Sequence, residues 1–179
     1  MSLLWASLFV IVYVVAATAA WACWSAAPWV PTKRAERGLV ADRLPLKPGE
    51  VLYDLGCGDG AVLFALADKY PEAKLIGYEL FLVPILIGHL RKLLGGRRYR
   101  NVSIRFGNLF RQDLSDASAI FCFLMVNSYG RLRPKFAREL SDDCRVMVEA
   151  WTIPGLEPLQ RIKEGKKVSY FLYKGSQFR

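Results

Sequence analysis

The stretch Asp54-Leu55-Gly56-Cys57-Gly58-Asp59-Gly60 decides the fold of this chain. The apolar run Val51-Leu52-Tyr53 before it predicts a short buried parallel strand, and residues 61–69 after it predict a helix. Three alternating glycines allow a sharp turn and a close approach of a ligand, because they carry no Cβ atom. The first N–H groups of the helix add donors and the positive end of a dipole. We therefore expect the loop to bind an anionic or polar group, such as a carboxylate or a phosphate.

Two nucleotide-type ligands fit this loop. Gly56, Gly58 and Ala61 match the G-x-G-x-x-G/A dinucleotide fingerprint, and Glu79 follows at a suitable distance to hold ribose hydroxyls. Asp54 favours a different ligand, because its carboxylate would repel a pyrophosphate but attract an amino group. S-adenosylmethionine carries an amino acid at one end and a ribose at the other. The loop therefore predicts this cofactor, with a NAD-type dinucleotide as the alternative.

The N-terminal segment has the composition of a membrane span. Residues 3–24 carry no charge, and as a helix they would be about 33 Å long, enough to cross a hydrocarbon layer of about 30 Å. Tryptophans lie near both ends, as at membrane interfaces: Trp5, Trp21 and Trp24. We interpret residues 1–27 as a transmembrane signal anchor and residues 28–179 as one catalytic domain. A signal peptide cleaved near residues 20–22 is the alternative.

Charge predicts where the domain lies and what it contacts. The net charge is +9, and all basic residues follow the span, beginning with Lys33, Arg34 and Arg37. The positive-inside rule therefore predicts a single-pass membrane protein with its domain on the cytoplasmic side. Basic clusters beside a membrane are attracted to its anionic leaflet. The chain contains no recognition module for nucleic acid, which argues against nucleic-acid binding.

Cysteine and histidine usage predicts no metal site. The cysteines are scattered without the spacing of metal ligands, and we expect buried free thiols: Cys23, Cys57, Cys122 and Cys144. His89 is the only histidine and is expected to be structural.

Strands and helices alternate along the rest of the chain. The predicted strands are residues 51–53, 74–78, 102–106, 119–126, 145–151, 159–163 and 168–173. The predicted helices are residues 32–44, 61–69, 80–94 and 129–140. This order indicates an α/β protein with a Rossmann-like doubly wound sheet and a C-terminal antiparallel hairpin, preceded by one transmembrane helix. The helix after Glu79 is unusually apolar, which either core packing or contact with a bilayer or hydrophobic partner would explain.

The glycine loop resembles motif I of the class I, seven-strand methyltransferases, which use S-adenosylmethionine. Further segments resemble small protein-lysine methyltransferases of two kinds: the archaeal broad-specificity enzyme, and the mitochondrial enzymes that act on the ATP synthase c subunit and the adenine nucleotide translocator. These segments are Trp29-Val30-Pro31-Thr32, Gly77-Tyr78-Glu79, Gly107-Asn108-Leu109-Phe110 and Phe123-Leu124-Met125-Val126-Asn127. The resemblance covers about residues 28–174.

The resemblance implies roles for individual residues. Expected to bind the cofactor are Thr32, Tyr53, Asp54, Gly56, Cys57, Gly58, Gly60, Glu79, Leu80, Asn108 and Leu109. In this fold the transferred methyl group faces the loop after the fourth strand, where Asn127 and Tyr129 are the candidate catalytic residues. Asn127 would orient a substrate amine or cap a helix. Glu149 would steer an ammonium group or serve as a buried structural carboxylate.

The resemblance and the anchor together predict a membrane-anchored methyltransferase acting on a protein lysine near the bilayer. A methyltransferase for a lipid, a quinone or another apolar small molecule is the alternative within the enzymes. A non-catalytic cofactor-binding or NAD-binding module is the alternative of another class.

Overall fold

The computed structural model describes residues 3–26, 29–30, 32, 34–163 and 168–179. The expected boundary at residues 27 and 28 and the connection of the expected hairpin at residues 164–167 lie outside these ranges. The helices are α1 (Leu3–Ser25), α2 (Arg34–Arg43), α3 (Ala61–Lys69), α4 (Leu82–Gly95) and α5 (Val126–Glu139). The strands are β1 (Val51–Leu55), β2 (Lys74–Glu79), β3 (Val102–Phe106), β4 (Ala119–Cys122), β5 (Arg145–Glu149), β6 (Gln160–Ile162) and β7 (Tyr170–Lys174).

The strands form one seven-stranded sheet in the order β3-β2-β1-β4-β5-β7-β6. The pairs from β3 to β5 are parallel, and β7 is antiparallel to both β5 and β6. This confirms the doubly wound, Rossmann-like sheet with a closing antiparallel hairpin. The strand order reverses between β1 and β4, and ligands of open α/β sheets bind at such a reversal.

Alternation along β1 divides the core into two layers. Leu52 packs in the layer of α2 and α3, whereas Tyr53 and Leu55 pack in the layer of α5. All residues of β4 are buried, as expected for a central strand covered on both faces. Since side chains alternate along a strand, Asp54 shares the face of Leu52 and points to the α2 and α3 side at the carboxyl end of β1.

The predicted ends of two strands are wrong. The fourth strand was expected to reach residue 126 but ends at Cys122, and the fifth was expected to reach residue 151 but ends at Glu149. Residues 123–125 leave the sheet, and the N–H group of Met125 bonds to the carbonyl oxygen of Ala26 rather than to a strand. Helix α5 therefore begins at Val126, three residues before its predicted start.

Helix α1 confirms the expected N-terminal apolar helix. Within it, Leu3–Ala22 is long and apolar enough to cross a membrane, with a mean hydropathy of 2.3, and apart from Ala22 at its end the stretch is not buried against the domain. Length and composition alone do not separate a membrane anchor from a signal sequence.

Gly88 lies inside α4 and Gly130 lies inside α5. Comparing alanine substitutions at these two positions tests how closely α4 packs on its neighbours. A Cβ atom at Gly88 would lie 2.9 Å from the backbone oxygen of Asp59, whereas one at Gly130 would meet no atom within 4 Å. Alanine gains about 1 kcal/mol of helix propensity at either position. At Gly88 overpacking costs about 1–3 kcal/mol and outweighs that gain.

We therefore expect Gly88→Ala to lower the Tm of the full chain in detergent and Gly130→Ala to raise it. Differential scanning calorimetry measures both. An increase in Tm for Gly88→Ala would show that α4 does not approach the Asp59 loop this closely.

Candidate active site

A cavity of about 260 Å³ lies at the carboxyl ends of β1, β2 and β4, where the strand order reverses. It is lined by Ala22, Ser25, Ala26, Trp29, Val30, Thr32, Asp54, Gly56, Cys57, Gly58, Asp59, Ala61, Val62, Tyr78, Glu79, Leu80, Gly107, Leu109, Phe121, Phe123, Leu124, Met125, Ala150 and Trp151. The sequence motif at the end of β1 and the cavity of the fold therefore coincide.

Hydrogen bonds fix the glycine loop against the end of β2. The carbonyl oxygen of Tyr78 accepts from the N–H groups of Gly56 and Cys57, at 2.9 and 3.1 Å. Gly58 has φ 53°, and a Cβ atom there would lie 2.6 Å from Nε1 of Trp29. The backbone of the loop therefore faces the cavity directly, with the Trp29 indole against it.

Glu79 is held by three backbone donors at the end of β2. Its Oε2 accepts from the N–H of Gly58 at 2.9 Å, and its Oε1 accepts from Leu80 and Phe81 at 2.8 and 2.9 Å. A carboxylate oxygen has more than one acceptor position, so capacity for ligand hydroxyls remains. The side chain is fixed in place before any ligand binds, and this fits the expected contact with ribose hydroxyls.

The cavity is strongly anionic around Asp54. Burial and the nearby charges of Glu79, Glu149 and Asp59 raise the pKa of the Asp54 carboxyl well above its ordinary value. Asp59 is paired with Arg91 at 2.9 Å, but among the described residues the Asp54 carboxyl has neither a hydrogen bond nor an ion pair. A cationic ligand would relieve this repulsion, and S-adenosylmethionine fits because it carries an ammonium and a sulfonium group.

Eight of the eleven expected cofactor-binding residues line the cavity: Thr32, Asp54, Gly56, Cys57, Gly58, Glu79, Leu80 and Leu109. The other three lie outside its lining. Tyr53 points to the opposite face of the sheet, where its hydroxyl donates to Asp116 at 2.8 Å. Gly60 precedes α3, and the side chain of Asn108 accepts from the N–H of Phe110 at 3.0 Å. Cofactor contacts by all eleven residues stay predictions.

The three candidate catalytic residues do not converge on the cavity lining. Asn127 is exposed in the first turn of α5. Tyr129 is buried in the layer of α5, where burial raises the pKa of its hydroxyl. Glu149 is buried at the end of β5, next to Ala150 and Trp151, which do line the cavity. Their catalytic roles also stay predictions.

A tight turn separates Glu149 from the cavity wall. Ala150 has φ 72°, and the N–H of Trp151 bonds back to the carbonyl oxygen of Glu149 at 3.0 Å. A non-glycine residue in this region carries strain, which tends to occur at functional sites. Burial, followed by the charge of Glu36, raises the pKa of Glu149 to about 7. A hydrogen bond with the Tyr170 side chain partly opposes this increase in the pKa.

Sequence reasoning missed the contribution of α1 to the site. The carbonyl oxygen of Ala26 accepts from the N–H of Met125 at 3.2 Å and from the hydroxyl of Ser128 at 2.8 Å, while Ser25 accepts from Arg131 at 3.3 Å. The end of α1 is thereby attached to the start of α5 and closes one side of the cavity. No local pattern in the sequence pairs these distant segments.

The expected free thiols are found where the structure describes them: Cys57, Cys122 and Cys144 are free and buried. The structure does not describe the side chain of Cys23. Within the described ranges, His, Cys, Asp and Glu side chains form no group of three or more that could hold a metal ion.

Comparisons with known proteins agree with this site. Residues 54–160 match the family described as the ANTKMT methyltransferase domain. A protein-lysine N-methyltransferase of Saccharolobus islandicus (strain REY15A) is 31% identical over 140 residues, which are 76% of this chain and 84% of that protein. The human lysine N-methyltransferase of the ATP synthase c subunit is 30% identical over 154 residues, which are 85% of this chain and 63% of that protein.

A solved structure supports the fold. The RNA methyltransferase of Salinibacter ruber in complex with S-adenosyl-L-homocysteine superimposes with a TM-score of 0.75 at 23% identity, over 81% of this chain and 93% of that one. The family match extends over the glycine loop, Glu79 and the part of the cavity wall between residues 54 and 160. The chain therefore belongs to the ANTKMT methyltransferase domain family and is an S-adenosylmethionine-dependent methyltransferase.

Proposed function

We propose that this enzyme is a membrane-anchored protein-lysine N-methyltransferase whose acceptor lysine lies at the cytoplasmic surface of the bilayer. The names of both curated relatives support lysine as the acceptor. The observation that carries the proposal is the composition of the cavity wall. It combines the cofactor loop at Asp54 and Gly58 with Ala22, Ser25 and Ala26 at the end of the apolar helix.

The environment of α1 supports an anchor over a cleaved signal sequence. Its apolar side chains are exposed along the helix, for example Leu4 at 82% and Phe9 at 70%, so the domain does not cover them. A lipid bilayer would cover these side chains. Cleavage after residue 22 would also remove Ala22 from the cavity wall, together with almost all of the helix that leads to Ala26 at the start of α5. The basic residues that follow the span support the cytoplasmic side.

The rim of the cavity supports an acceptor at the membrane surface. Val30, Met125 and Trp151 line the cavity and are about half exposed. Exposed apolar groups around a binding site suit a partly dry environment, such as the bilayer interface or the surface of a membrane protein. An apolar small molecule would also suit this rim, and the experiment below therefore distinguishes the two acceptors.

The chemistry requires alignment and a neutral amine. S-adenosylmethionine supplies an activated methyl group on a sulfonium. Asp54 and the Gly58 loop would hold its methionine part, and Glu79 would hold its ribose. A lysine Nζ must lose its proton before it attacks, and the apolar wall formed by Phe121, Phe123 and Leu124 would favour this loss by desolvation.

The candidate catalytic residues fit supporting roles in this scheme. Asn127, exposed two residues beyond Met125 of the cavity wall, would orient the arriving amine. Glu149 would attract the lysine ammonium through the field that it shares with Asp54. Tyr129, buried behind the start of α5, would act only by positioning that helix.

Methyl transfer to host membranes tests the proposal. The purified full chain is incubated with host membranes, host soluble proteins and cofactor labelled in its methyl group, and the membrane-protein, soluble-protein and lipid fractions are then separated. We expect the label in methyl-lysine of a membrane protein. Label in the lipid or quinone fraction alone would overturn the lysine assignment, and label in soluble proteins alone would overturn the membrane location.

Cofactor binding can be tested at two glycines with a similar positive φ. Gly58 and Gly96 have φ 53° and 54°, a region in which alanine is strained at either site. Only at Gly58 would the added Cβ meet Trp29 beside the cavity, whereas Gly96 has open space. We expect Gly58→Ala to abolish S-adenosylmethionine binding in isothermal titration calorimetry and Gly96→Ala to bind normally. Unchanged affinity in Gly58→Ala would contradict the placement of the cofactor.

The role of Asn127 in methyl transfer can be tested separately from cofactor binding. We expect Asn127→Ala to keep wild-type cofactor affinity but to lose methyl transfer, because the amide would no longer orient the amine. Arg138→Ala is the control, since Arg138 is also exposed on α5 but lies three turns away. Single-turnover rates with membrane acceptor measure the effect. Equal rates in the two variants would exclude Asn127 from the reaction; its alternative role as a helix cap is already wrong, because Met125 is the N-cap of α5 and no side chain caps this helix.

The raised pKa of Glu149 predicts that the stability of the fold depends on pH. Its pKa is raised from 4.5 to about 7 in the fold, so stability that is fully present below pH 4.5 is lost as the pH rises through 7. Glu149→Gln stays neutral and avoids this loss, which amounts to about 3 kcal/mol. We expect the ligand-free variant to exceed the wild type in Tm at pH 8 and to match it at pH 4.5. The same Tm difference at both pH values would show that the Glu149 carboxyl is not the cause.

A further inference from the structure

Helix α4 has its polar and apolar sides reversed relative to an ordinary surface helix. Its side toward the sheet contains the buried Ile85 and Gly88, and also Lys92, whose Nζ donates to the carbonyl oxygen of Val102 at 2.5 Å. Nε2 of His89 lies 3.0 Å from the carbonyl oxygen of Ile104. Polar side chains of α4 are therefore used against β3.

The outer side of α4 is apolar. We call it the leucine face, and it consists of Leu86 (66% exposed), Ile87 (40%), Leu90 (56%), Leu93 (77%) and Leu94 (80%). At 100° per residue these side chains fall within an arc of roughly 120°. An amphipathic helix normally turns such an arc toward the core. A contiguous apolar surface of this kind marks a contact with another apolar phase.

Basic residues border the leucine face at its C-terminal end. Arg97, Arg98 and Arg100 are exposed just beyond α4. Arg98 pairs with Asp68 at 2.5 Å. An apolar face bordered by arginines is complementary to the interface of an anionic bilayer, where acyl chains meet negative head groups.

Helix α4 also contacts α1, which contains the candidate span. We propose that the leucine face inserts into the head-group region of an anionic leaflet, next to the point where α1 leaves the membrane. This inference rests on the membrane anchoring in the proposed function. The leucine face would attach the domain to the bilayer in addition to α1. Two attachments would fix the orientation of the domain on the membrane.

A fluorescent label at matched positions tests this contact in the full chain. Leu90→Cys, Val10→Cys and Leu159→Cys replace side chains with almost equal exposure, 56%, 57% and 58%, on the leucine face, the span and the β6 side of the domain. Each is made with Cys23→Ser, and the buried Cys57, Cys122 and Cys144 are protected from the label. The proteins are reconstituted in phosphatidylcholine vesicles with or without phosphatidylglycerol. Quenching by nitroxide lipids and by aqueous iodide is measured, with Leu94→Cys as a second site on the face.

We expect nitroxide lipids to quench the labels at positions 10, 90 and 94, and iodide to quench the label at position 159. Iodide quenching at 90 and 94, with lipid quenching at 10, would overturn the leucine-face contact while leaving the anchor intact. Absence of lipid quenching at 10 would contradict the anchor, and lipid quenching at 90 would then still support the face. Protection at 90 from both quenchers that depends on protein concentration would assign the face to a second copy and overturn the proposal. Equal lipid quenching at 90 without phosphatidylglycerol would overturn the role of the arginines.

Discussion

The hydrogen bonds between the glycine loop and the end of β2 determine the geometry of the site. Tyr78 accepts two N–H groups of the loop through its carbonyl oxygen, and Glu79 accepts a third through its carboxylate. These bonds hold the loop open against the sheet, with Trp29 on its outer side. Glu79 therefore has two functions, because the same carboxylate that orders the loop retains acceptor capacity for a ligand. Without it, the loop backbone and the ribose position would both be lost.

Charge makes the same site selective between cofactor and product. Asp54 lies close to Glu79 and Glu149, and burial, followed by repulsion from these carboxylates, raises the pKa of its carboxyl. S-adenosylmethionine carries one more positive charge than S-adenosylhomocysteine, because methyl transfer converts the sulfonium to a neutral thioether. The anionic wall therefore attracts the cofactor more strongly than the product. The same difference in charge that favours binding of S-adenosylmethionine also favours release of S-adenosylhomocysteine after each turnover.

The sequence was most informative where chemistry restricts the choice of residue. The turn at Gly56 and Gly58 requires positive φ, and Asp54 and Glu79 sit at strand ends, so the fold and eight cavity residues could be predicted. Strand ends were less predictable. Phe123 to Met125 are as apolar as β4, and only their bonds and packing outside the sheet end the strand.

Long-range contacts explain the other discrepancies. Alternation sends Tyr53 to the opposite face of the sheet, although it is adjacent to Asp54 in the chain. The strained turn at Ala150 separates Glu149 from the wall that its neighbours form. Trp29 and Ala26 reach the site from before α2, and apolar residues carry no signal for such a partner.

The bond between Ala26 and the start of α5 has a consequence for the choice of acceptor. The carbonyl group of Ala26 at the end of α1 holds the segment next to the cavity wall, so the candidate site is joined directly to α1. Under the proposed anchoring, the height of the catalytic centre above the lipid is then a fixed dimension of the enzyme. Depth in the membrane, in addition to the amino acids around a lysine, would become a determinant of which residues are modified, and a protein with the same local sequence at another depth would be passed over.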